Sequence, residues 1–187
     1  TKYISPDYYQ IDELFTDEQK MVRGAIRDWV NREVIPIIDE ANQQHEFPIH
    51  LVKQLGELGA LGPYIPEQYG GAGLDQTSYG LIMQELERGD TAIRSLASVQ
   101  SSLVMMPIYK FGTEEQRMKY LPKLATGEFI GAFGLTEPNH GSDPGSMITR
   151  FTDEGSHYLL NGAKMWITNS PIADVCIVWA KDEQGVV

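Results

Sequence analysis

The sequence predicts an α+β protein. An N-terminal all-α helical bundle over residues 1–130 is followed by the first part of an antiparallel β domain over residues 131–187. Three observations support this division. Apolar residues recur at helical spacing up to about residue 130, and two helix-capping motifs lie in the same half. Beyond it, apolar residues fall in short runs bounded by glycine-containing turns, which is typical of β-strands.

The helical half can be divided at its start and stop signals. Thr16 with Gln19, and Thr113 with Gln116, form capping boxes, in which a threonine hydroxyl and a glutamine side chain each bond a backbone amide of the other residue. Pro36 should kink or interrupt the helix that the first capping box opens. Further helices are predicted over residues 51–58 (ended by Gly59), 78–88 and 95–111, and from the second capping box to about residue 125.

The β half contains one strong hairpin signal. Asn161 and Gly162 stand between two apolar runs, and this pair favours the tight turn of a β-hairpin. A further turn is expected at residues 153–156. Cys176 lies within the apolar run 175–179, so we expect it to be a buried structural thiol. Strands are predicted around residues 148–151, 158–160, 165–168 and 175–180.

Composition argues against several classes of function. The chain has 15 Lys and Arg against 26 Asp and Glu, which gives a net charge of −11. This charge argues against sequence-independent binding to nucleic acid and against binding to an anionic membrane surface. No apolar run has the length needed to span a bilayer. The histidines have no neighbouring ligand pattern, so no metal site is predicted. The single cysteine permits no disulfide within the chain, which is typical of a reducing compartment.

Two polar segments of the β half, residues 133–143 and 164–169, are the best candidates for a binding site. The first is predicted to run from a strand into a loop of small hydrogen-bonding residues, and the second to be a strand. Such a composition is typical of a small-molecule cofactor pocket. The alternative is a polar turn between two ordinary strands. Apolar contact with a flat ring, and hydrogen bonds to its edge, would come from Leu135, Trp166, Thr136, Ser142 and Thr168.

The two segments resemble the flavin-binding signature of the acyl-CoA dehydrogenase family. Residues 66–75, 111–116 and 120–122 resemble the same family in the same order. The resemblance implies an acyl-CoA dehydrogenase-like fold that binds FAD. Its catalytic base is a glutamate of a C-terminal helical bundle absent from this chain, so no catalytic residue is nominated here. The implied cofactor contacts are Phe133, Leu135, Thr136, Gly141, Ser142, Trp166, Ile167 and Thr168.

Segments between residues 85 and 104 are similar to glutaryl-CoA dehydrogenases, which convert glutaryl-CoA to crotonyl-CoA and CO2. The far end of a glutaryl chain is a carboxylate, which is costly to bury without a partner. An arginine can bind it with two parallel donors. Arg94 is the candidate, with Ser98 as an added donor and Glu87 as an acceptor that could position Arg94. The resemblance implies that Ser142 lies near the pantetheine or thioester end of the substrate.

Other interpretations remain open. Arg94 can be a solvated helix residue paired with a surface acid, and the activity would then be that of a short-chain monocarboxylic acyl-CoA dehydrogenase. The chain can also be a truncated, non-catalytic homologue that binds acyl-CoA or a partner. His140 stands where members of the family usually carry a small residue. It could donate a hydrogen bond near the coenzyme A path, although we expect it to point into solvent.

The resemblance also implies the partners of the protein. These are an acyl-CoA substrate, electron transfer flavoprotein as the electron acceptor, and further copies of the chain in a homotetramer. The expected compartment is the cytoplasm of a bacterium or the mitochondrial matrix of a eukaryote.

Overall fold

The computed structural model describes residue 6 and residues 8–187, and it confirms a helical N-terminal half followed by a short β region. Both predicted capping boxes are present, at the starts of α1 and α7. The helices are α1 Asp17–Trp29, α2 Ile38–Gln44, α3 His50–Glu57, α4 Gln76–Gly89, α5 Thr91–Ser98, α6 Met106–Phe111 and α7 Glu114–Ala125. Short 3-10 turns cover Ile11–Leu14, Glu67–Tyr69, Pro144–Ser146 and Ser170–Ile172.

Two helices differ from the prediction because π-helical segments interrupt them. After α1 the backbone continues as the π-helical segment Val30–Val34, with the amide of Ile35 bonded to the carbonyl of Val30. This helix ends in a turn at Pro36, as expected of a proline that cannot donate to the preceding turn. The single helix predicted over residues 95–111 is instead α5, the π-helical segment Val99–Met105 and α6.

The helical half is held together by two clusters of buried side chains. The first joins α1, α3, α4 and α5, and the second joins α6, α7 and the π-helical segment Val99–Met105. Phe133 and Ile177 of the β region pack against the second cluster. The β region is therefore seated on the helical half through apolar contacts. Fully buried members of the two clusters include Ile26, Leu51, Leu55, Leu86, Leu96, Met105, Leu121 and Leu124.

Four strands form two separate pairs in the β region: β1 Gly131–Gly134, β2 Arg150–Asp153, β3 Tyr158–Asn161 and β4 Val175–Val178. β2 and β3 are antiparallel, as predicted for this domain, with Arg150 opposite Asn161. β1 and β4 pair in parallel, with Gly131 opposite Val175. An antiparallel partner was expected there. The long connection from β1 to β4 brings the chain back to its starting edge, which a parallel pair requires.

Three predictions for the β half are wrong in detail. Residues 165–168 form no strand, and the hairpin turn lies at residues 154–157, before β3, not at Asn161 and Gly162. A Cβ on Gly162 would lie within 2.3 Å of the Thr149 hydroxyl, so this glycine allows a close approach of the chain instead. Cys176 is exposed, not buried, because it points away from the face of β4 that meets the helical half.

A buried glutamine fastens the two halves together. Gln100 donates from Nε2 to the carbonyls of Leu124 and Phe129, both at 2.8 Å, and accepts at 2.7 Å from the amide of Gly131. Gly131 permits this approach, because a Cβ there would lie 2.6 Å from Val104. Among the residues that the structure describes, none of the helices has the length and apolar character needed to cross a membrane.

Replacing Gln100 with Leu should destabilise the protein strongly. The substitution leaves two carbonyls and one amide without their partners, and we expect a loss of about 2–4 kcal/mol in the free energy of unfolding. Urea unfolding of the two proteins measures the difference. The same substitution at the exposed Gln44 is the control and should change stability by less than about 0.5 kcal/mol. A loss below about 1 kcal/mol for the Gln100 variant would contradict the role given to its amide.

Candidate functional site

A buried ion pair joins the two polar segments of the β region. The carboxylate of Glu137 is 2% exposed and accepts hydrogen bonds from the backbone amides of Ile148 at 2.7 Å and Thr149 at 2.9 Å, and from the Thr149 hydroxyl. The Lys164 ammonium lies 2.9 Å from Glu137 Oε1 and donates to the carbonyl of Leu135 at 3.0 Å. Four donors therefore satisfy a carboxylate that would be costly to bury alone.

The surroundings of Glu137 keep it ionised. Burial raises the pKa of this carboxyl, but the hydrogen bonds from Thr149, Ile148 and Lys164 outweigh that effect and lower the pKa to about 2. Hydrogen bonds to the charged form stabilise it relative to the protonated form. At neutral pH the site therefore holds a carboxylate and an ammonium in direct contact.

The residues predicted to contact a flavin ring lie on adjoining stretches of chain. The amide of Met165 donates to the carbonyl of Thr136 at 2.9 Å, so residues 135–137 and 164–165 run side by side. Phe133 and Thr136 are half-buried, as is Leu135 between them. The ring of Phe133 packs edge-on against Trp179, with 6.2 Å between the ring centroids.

The second polar segment has an irregular backbone that is anchored at its end. Trp166 has a φ of 61° and its side chain is 85% exposed, whereas Ile167 and Thr168 are half-buried. Asn169 also adopts a left-handed conformation, with a φ of 68°, and its Nδ2 donates to the carbonyl of Gly131 at 2.9 Å. The segment is thereby tied to the start of β1, and the Trp166 ring faces solvent.

The loop after Thr136 carries the remaining predicted cofactor residues. The backbones of Glu137 and His140 exchange two hydrogen bonds of 3.2 Å, which close a turn. Gly141 and Ser142 follow this turn and are both exposed. His140 is half-buried, not turned fully into solvent as expected.

A cavity of about 750 Å³ lies between the helical half and the second polar segment. Its volume is typical of small-molecule sites. Thr168 and residues of α5 line this cavity together, and α5 is the helix that carries Arg94 and Ser98. Arg94 itself does not line the cavity, although its neighbour Ser95 does. Residues on its walls include His45, Phe47, Thr91, Ser95, Thr168 and Ile172.

Arg94 and Glu87 form an ion pair across the junction of α4 and α5. Arg94 Nε lies 2.6 Å from Glu87 Oε2, and the hydroxyl of Thr91 donates to the other Glu87 oxygen at 2.9 Å. The hydrogen bond from Arg94 lowers the pKa of the Glu87 carboxyl. The two terminal nitrogens of Arg94 have no hydrogen-bond partner among the described residues, and its side chain is 32% exposed. The guanidinium thus keeps two parallel donors for another acceptor.

Sequence reasoning missed a hydroxyl cluster formed by Tyr79 of α4, Ser102 of the π-helical segment Val99–Met105 and Tyr64 of a turn before α4. Ser102 Oγ lies 2.8 Å from the hydroxyl of Tyr79 and 3.0 Å from that of Tyr64. Ser102 follows Arg94 by about two helical turns, or ~12 Å along the helix. Ser98 lies between them and is half-buried. The serines at 95, 98 and 102 recur at helical spacing, and this pattern could have revealed the polar face.

Sequence reasoning also missed Glu137 and Lys164, which join the two predicted segments. Both stand inside those segments, and the only available signal was a charged residue two positions after Leu135 in the first and directly before Met165 in the second. No group of three or more His, Cys, Asp or Glu that could hold a metal ion occurs among residue 6 and residues 8–187.

The chain matches two family models: "Acyl-CoA dehydrogenase, N-terminal domain" over residues 16–128 and "Acyl-CoA dehydrogenase, middle domain" over residues 132–186. An acyl-CoA dehydrogenase of Bacillus subtilis (strain 168) is 46% identical over 88% of the chain and 44% of its own length. A mitochondrial short-chain specific acyl-CoA dehydrogenase of Rattus norvegicus is 39% identical over 95% of the chain and 43% of its length.

A solved structure of a glutaryl-CoA dehydrogenase from Mycobacterium smegmatis in complex with FADH2 is similar in fold and sequence. It is 43% identical and superposes with a TM-score of 0.91, over 94% of this chain and 45% of that one. The chain thus spans less than half the length of each of these relatives.

The stability of the protein should depend on the ionisation of Glu137. Because its folded pKa, about 2, is below the ordinary value of 4.5, the carboxylate contributes stability that is present above pH 4.5. That stability is lost as pH falls from 4.5 towards 2. Urea unfolding between pH 6 and pH 2.5 measures how many protons the protein takes up when it unfolds. The wild type should take up about one more proton than Glu137→Gln as the pH approaches 3. The exposed Glu128→Gln is the control variant, and equal slopes for the wild type and Glu137→Gln would contradict the assignment.

Proposed function

The chain belongs to the acyl-CoA dehydrogenase family, and we propose that its protein is an FAD-dependent enzyme that oxidises and decarboxylates glutaryl-CoA to crotonyl-CoA and CO2. The observation that carries the glutaryl assignment is the Arg94 guanidinium. It is half-buried on α5 beside the cavity, with both terminal nitrogens available. The similarity to the glutaryl-CoA dehydrogenase from Mycobacterium smegmatis supports the same substrate.

Arg94 suits a substrate whose far end is a carboxylate. A carboxylate can accept two parallel hydrogen bonds from Nη1 and Nη2, while Glu87 holds Nε and fixes the plane of the guanidinium. Ser98, one turn along α5, would add a third donor. A monocarboxylic chain would gain nothing from this charge and would incur its desolvation. The geometry therefore favours a dicarboxylic acyl chain.

The β region suits a flat ring with a polar edge. Leu135 and Trp166 would pack on the ring, and Thr136 and Thr168 would donate hydrogen bonds to its edge. These residues lie on segments that already run side by side, so little ordering is needed on binding. The chemistry that FAD supplies when bound is acceptance of the hydride from the substrate β-carbon. Phe133, Gly141 and Ile167 would complete the ring contacts, and Ser142 would lie near the thioester.

The reaction needs one group outside residues 1–187. By the family resemblance, a glutamate of the C-terminal helical bundle takes the α-proton while hydride leaves the β-carbon. The unsaturated acid then loses CO2, the electrons of the broken bond pass into the conjugated thioester, and protonation gives crotonyl-CoA. Arg94 must orient the carboxylate without binding it too tightly, because equal stabilisation of substrate and transition state gives no rate.

The family resemblance also supports the proposed partners. These are electron transfer flavoprotein as electron acceptor and a homotetramer as assembly, in the cytoplasm of a bacterium or the mitochondrial matrix of a eukaryote.

One observation favours a second candidate, a short-chain monocarboxylic acyl-CoA dehydrogenase. Glu87 already satisfies Arg94 at 2.6 Å, so the pair can be a surface ion pair that stabilises the junction of α4 and α5. The similarity to the short-chain enzyme of Rattus norvegicus supports this reading as well.

Anaerobic titration of the full-length protein with glutaryl-CoA tests the proposed function directly. We expect bound flavin whose visible absorbance bleaches as CO2 is released. Bleaching with butyryl-CoA alone would establish the second candidate in place of the first. A protein that binds no flavin would contradict both and favour a non-catalytic acyl-CoA-binding homologue.

Replacing Arg94 with Met separates the two candidates. Losing two charge-assisted hydrogen bonds to the substrate should lower kcat/KM for glutaryl-CoA by about 100-fold. Turnover of butyryl-CoA should fall by less than about fivefold, because its tail makes no such bond. Steady-state kinetics with both substrates measure the ratio. The exposed Arg32→Met serves as the matched control, and equal losses on both substrates in the Arg94 variant would contradict the carboxylate role.

A further inference from the structure

We propose that Lys164 and Glu137 are positioning residues for the flavin, which fix the two ring-contacting segments relative to each other. The inference rests on the proposed function for the identity of the ring. Its geometric basis is independent of that function, since the pair joins the segments in the protein alone. The Lys164 ammonium and Glu137 Oε1 are 2.9 Å apart, and their side chains are 11% and 1% exposed.

No regular β-ladder holds the two segments together. Residues 135–136 follow the end of β1, and residues 164–168 belong to no strand. Their direct connections are three: Lys164 to the carbonyl of Leu135, Lys164 to the carboxylate of Glu137, and the amide of Met165 to the carbonyl of Thr136. Lys164 supplies two of these three, so its side chain sets the spacing and the relative orientation of the segments.

Glu137 gives Lys164 a rigid point of attachment. Its carboxylate is held by two consecutive backbone amides, those of Ile148 and Thr149, at the entry to β2. The carboxylate therefore cannot follow Lys164 if the second segment moves. The start of β2 thus fixes Glu137, Glu137 fixes Lys164, and Lys164 fixes the backbone at Met165, one residue before Trp166.

A role in positioning explains why an ion pair occupies this site. Burying two charges is expensive, and well-packed apolar residues often give equal or greater stability. What the pair adds is a directional contact with fixed donors and acceptors. Trp166 needs such support, because its φ of 61° is unfavourable for a residue with a bulky side chain. Thr168 lies on the same segment, and Asn169 fixes the far end of this segment to Gly131.

The test uses the full-length protein with Lys164→Met, and Glu137→Gln as a second variant that keeps one acceptor oxygen where the carboxylate offers two to the amides of Ile148 and Thr149. Before FAD is added, hydrogen exchange of the Met165 amide should accelerate at least tenfold in Lys164→Met, with a smaller effect in Glu137→Gln. The dissociation constant of FAD should rise at least tenfold, and the visible spectrum of the bound flavin should change.

Two controls separate positioning from general destabilisation. Lys123→Met removes a lysine from an exposed ion pair with Glu128 and should change neither measurement. Leu55→Ala destabilises the helical core at a buried position of α3, outside the β region. If Leu55→Ala lowers thermal stability as much as Lys164→Met does, its Met165 amide should still be protected from exchange. Its dissociation constant for FAD should stay within about twofold of the wild-type value. Equal losses in Leu55→Ala and Lys164→Met would overturn the proposal.

Further outcomes decide the proposal even if a variant does not fold or no flavin binds. In the wild type without FAD, the Met165 amide should be protected at least as well as amides of the β1–β4 pair. Exchange as fast as that of the exposed turn at residues 154–157 would overturn the inference. A wild type that binds no flavin would refute the proposed function, whereas hydrogen exchange would still report whether Lys164 fixes the segments.

Discussion

The buried carboxylate of Glu137 is the constraint on which the β region depends. One charged group, with a pKa lowered to about 2, gathers the backbone at Ile148 and Thr149 and the side chain of Lys164 around it. A buried charge has few acceptable arrangements, because every unmet hydrogen bond is costly in a medium that excludes water. The two ends of the irregular loop between β1 and β2 are therefore held together at the Glu137 carboxylate. The residues proposed to contact a flavin lie on the two segments that the ion pair of Glu137 and Lys164 joins, residues 133–143 and 164–169.

The sequence could predict the helical half well because its signals are local. The capping boxes at Thr16 and Thr113 involve residues three positions apart, and both appear with their reciprocal hydrogen bonds. Apolar spacing likewise needs no knowledge of distant residues. The π-helical segment Val99–Met105 escaped prediction because its cause is long-range. There Gln100 reaches the end of α7 and the start of β1, and these partners are remote in sequence.

The β half was harder for the same physical reason. Residues 165–168 have the apolar and β-branched composition of a strand, but Lys164 and Asn169 bind opposite ends of this stretch to other parts of the chain, and Trp166 takes a left-handed conformation. Asn161 and Gly162 have the composition of a hairpin turn, yet the glycine serves close packing against Thr149. The candidate site could be located from its segments and their resemblance. The ion pair that joins those segments could not, since neither partner indicates the other.

At the junction of α4 and α5, Arg94 combines an ion pair with two terminal nitrogens that its partner leaves unbound. Glu87 uses only the Nε side of the Arg94 guanidinium, so the ion pair orients the fork without occupying it. The site remains about one-third exposed, and an exposed ion pair of this kind adds little to stability. Under the proposed function, its value to the protein would come from what the other two nitrogens bind. A substrate carboxylate bound there would accept two charge-assisted hydrogen bonds that the ion pair with Glu87 does not use. Under the proposed function, selection for a dicarboxylic chain would thus arise from a charge that the fold barely needs, whose two terminal nitrogens Glu87 leaves unbound.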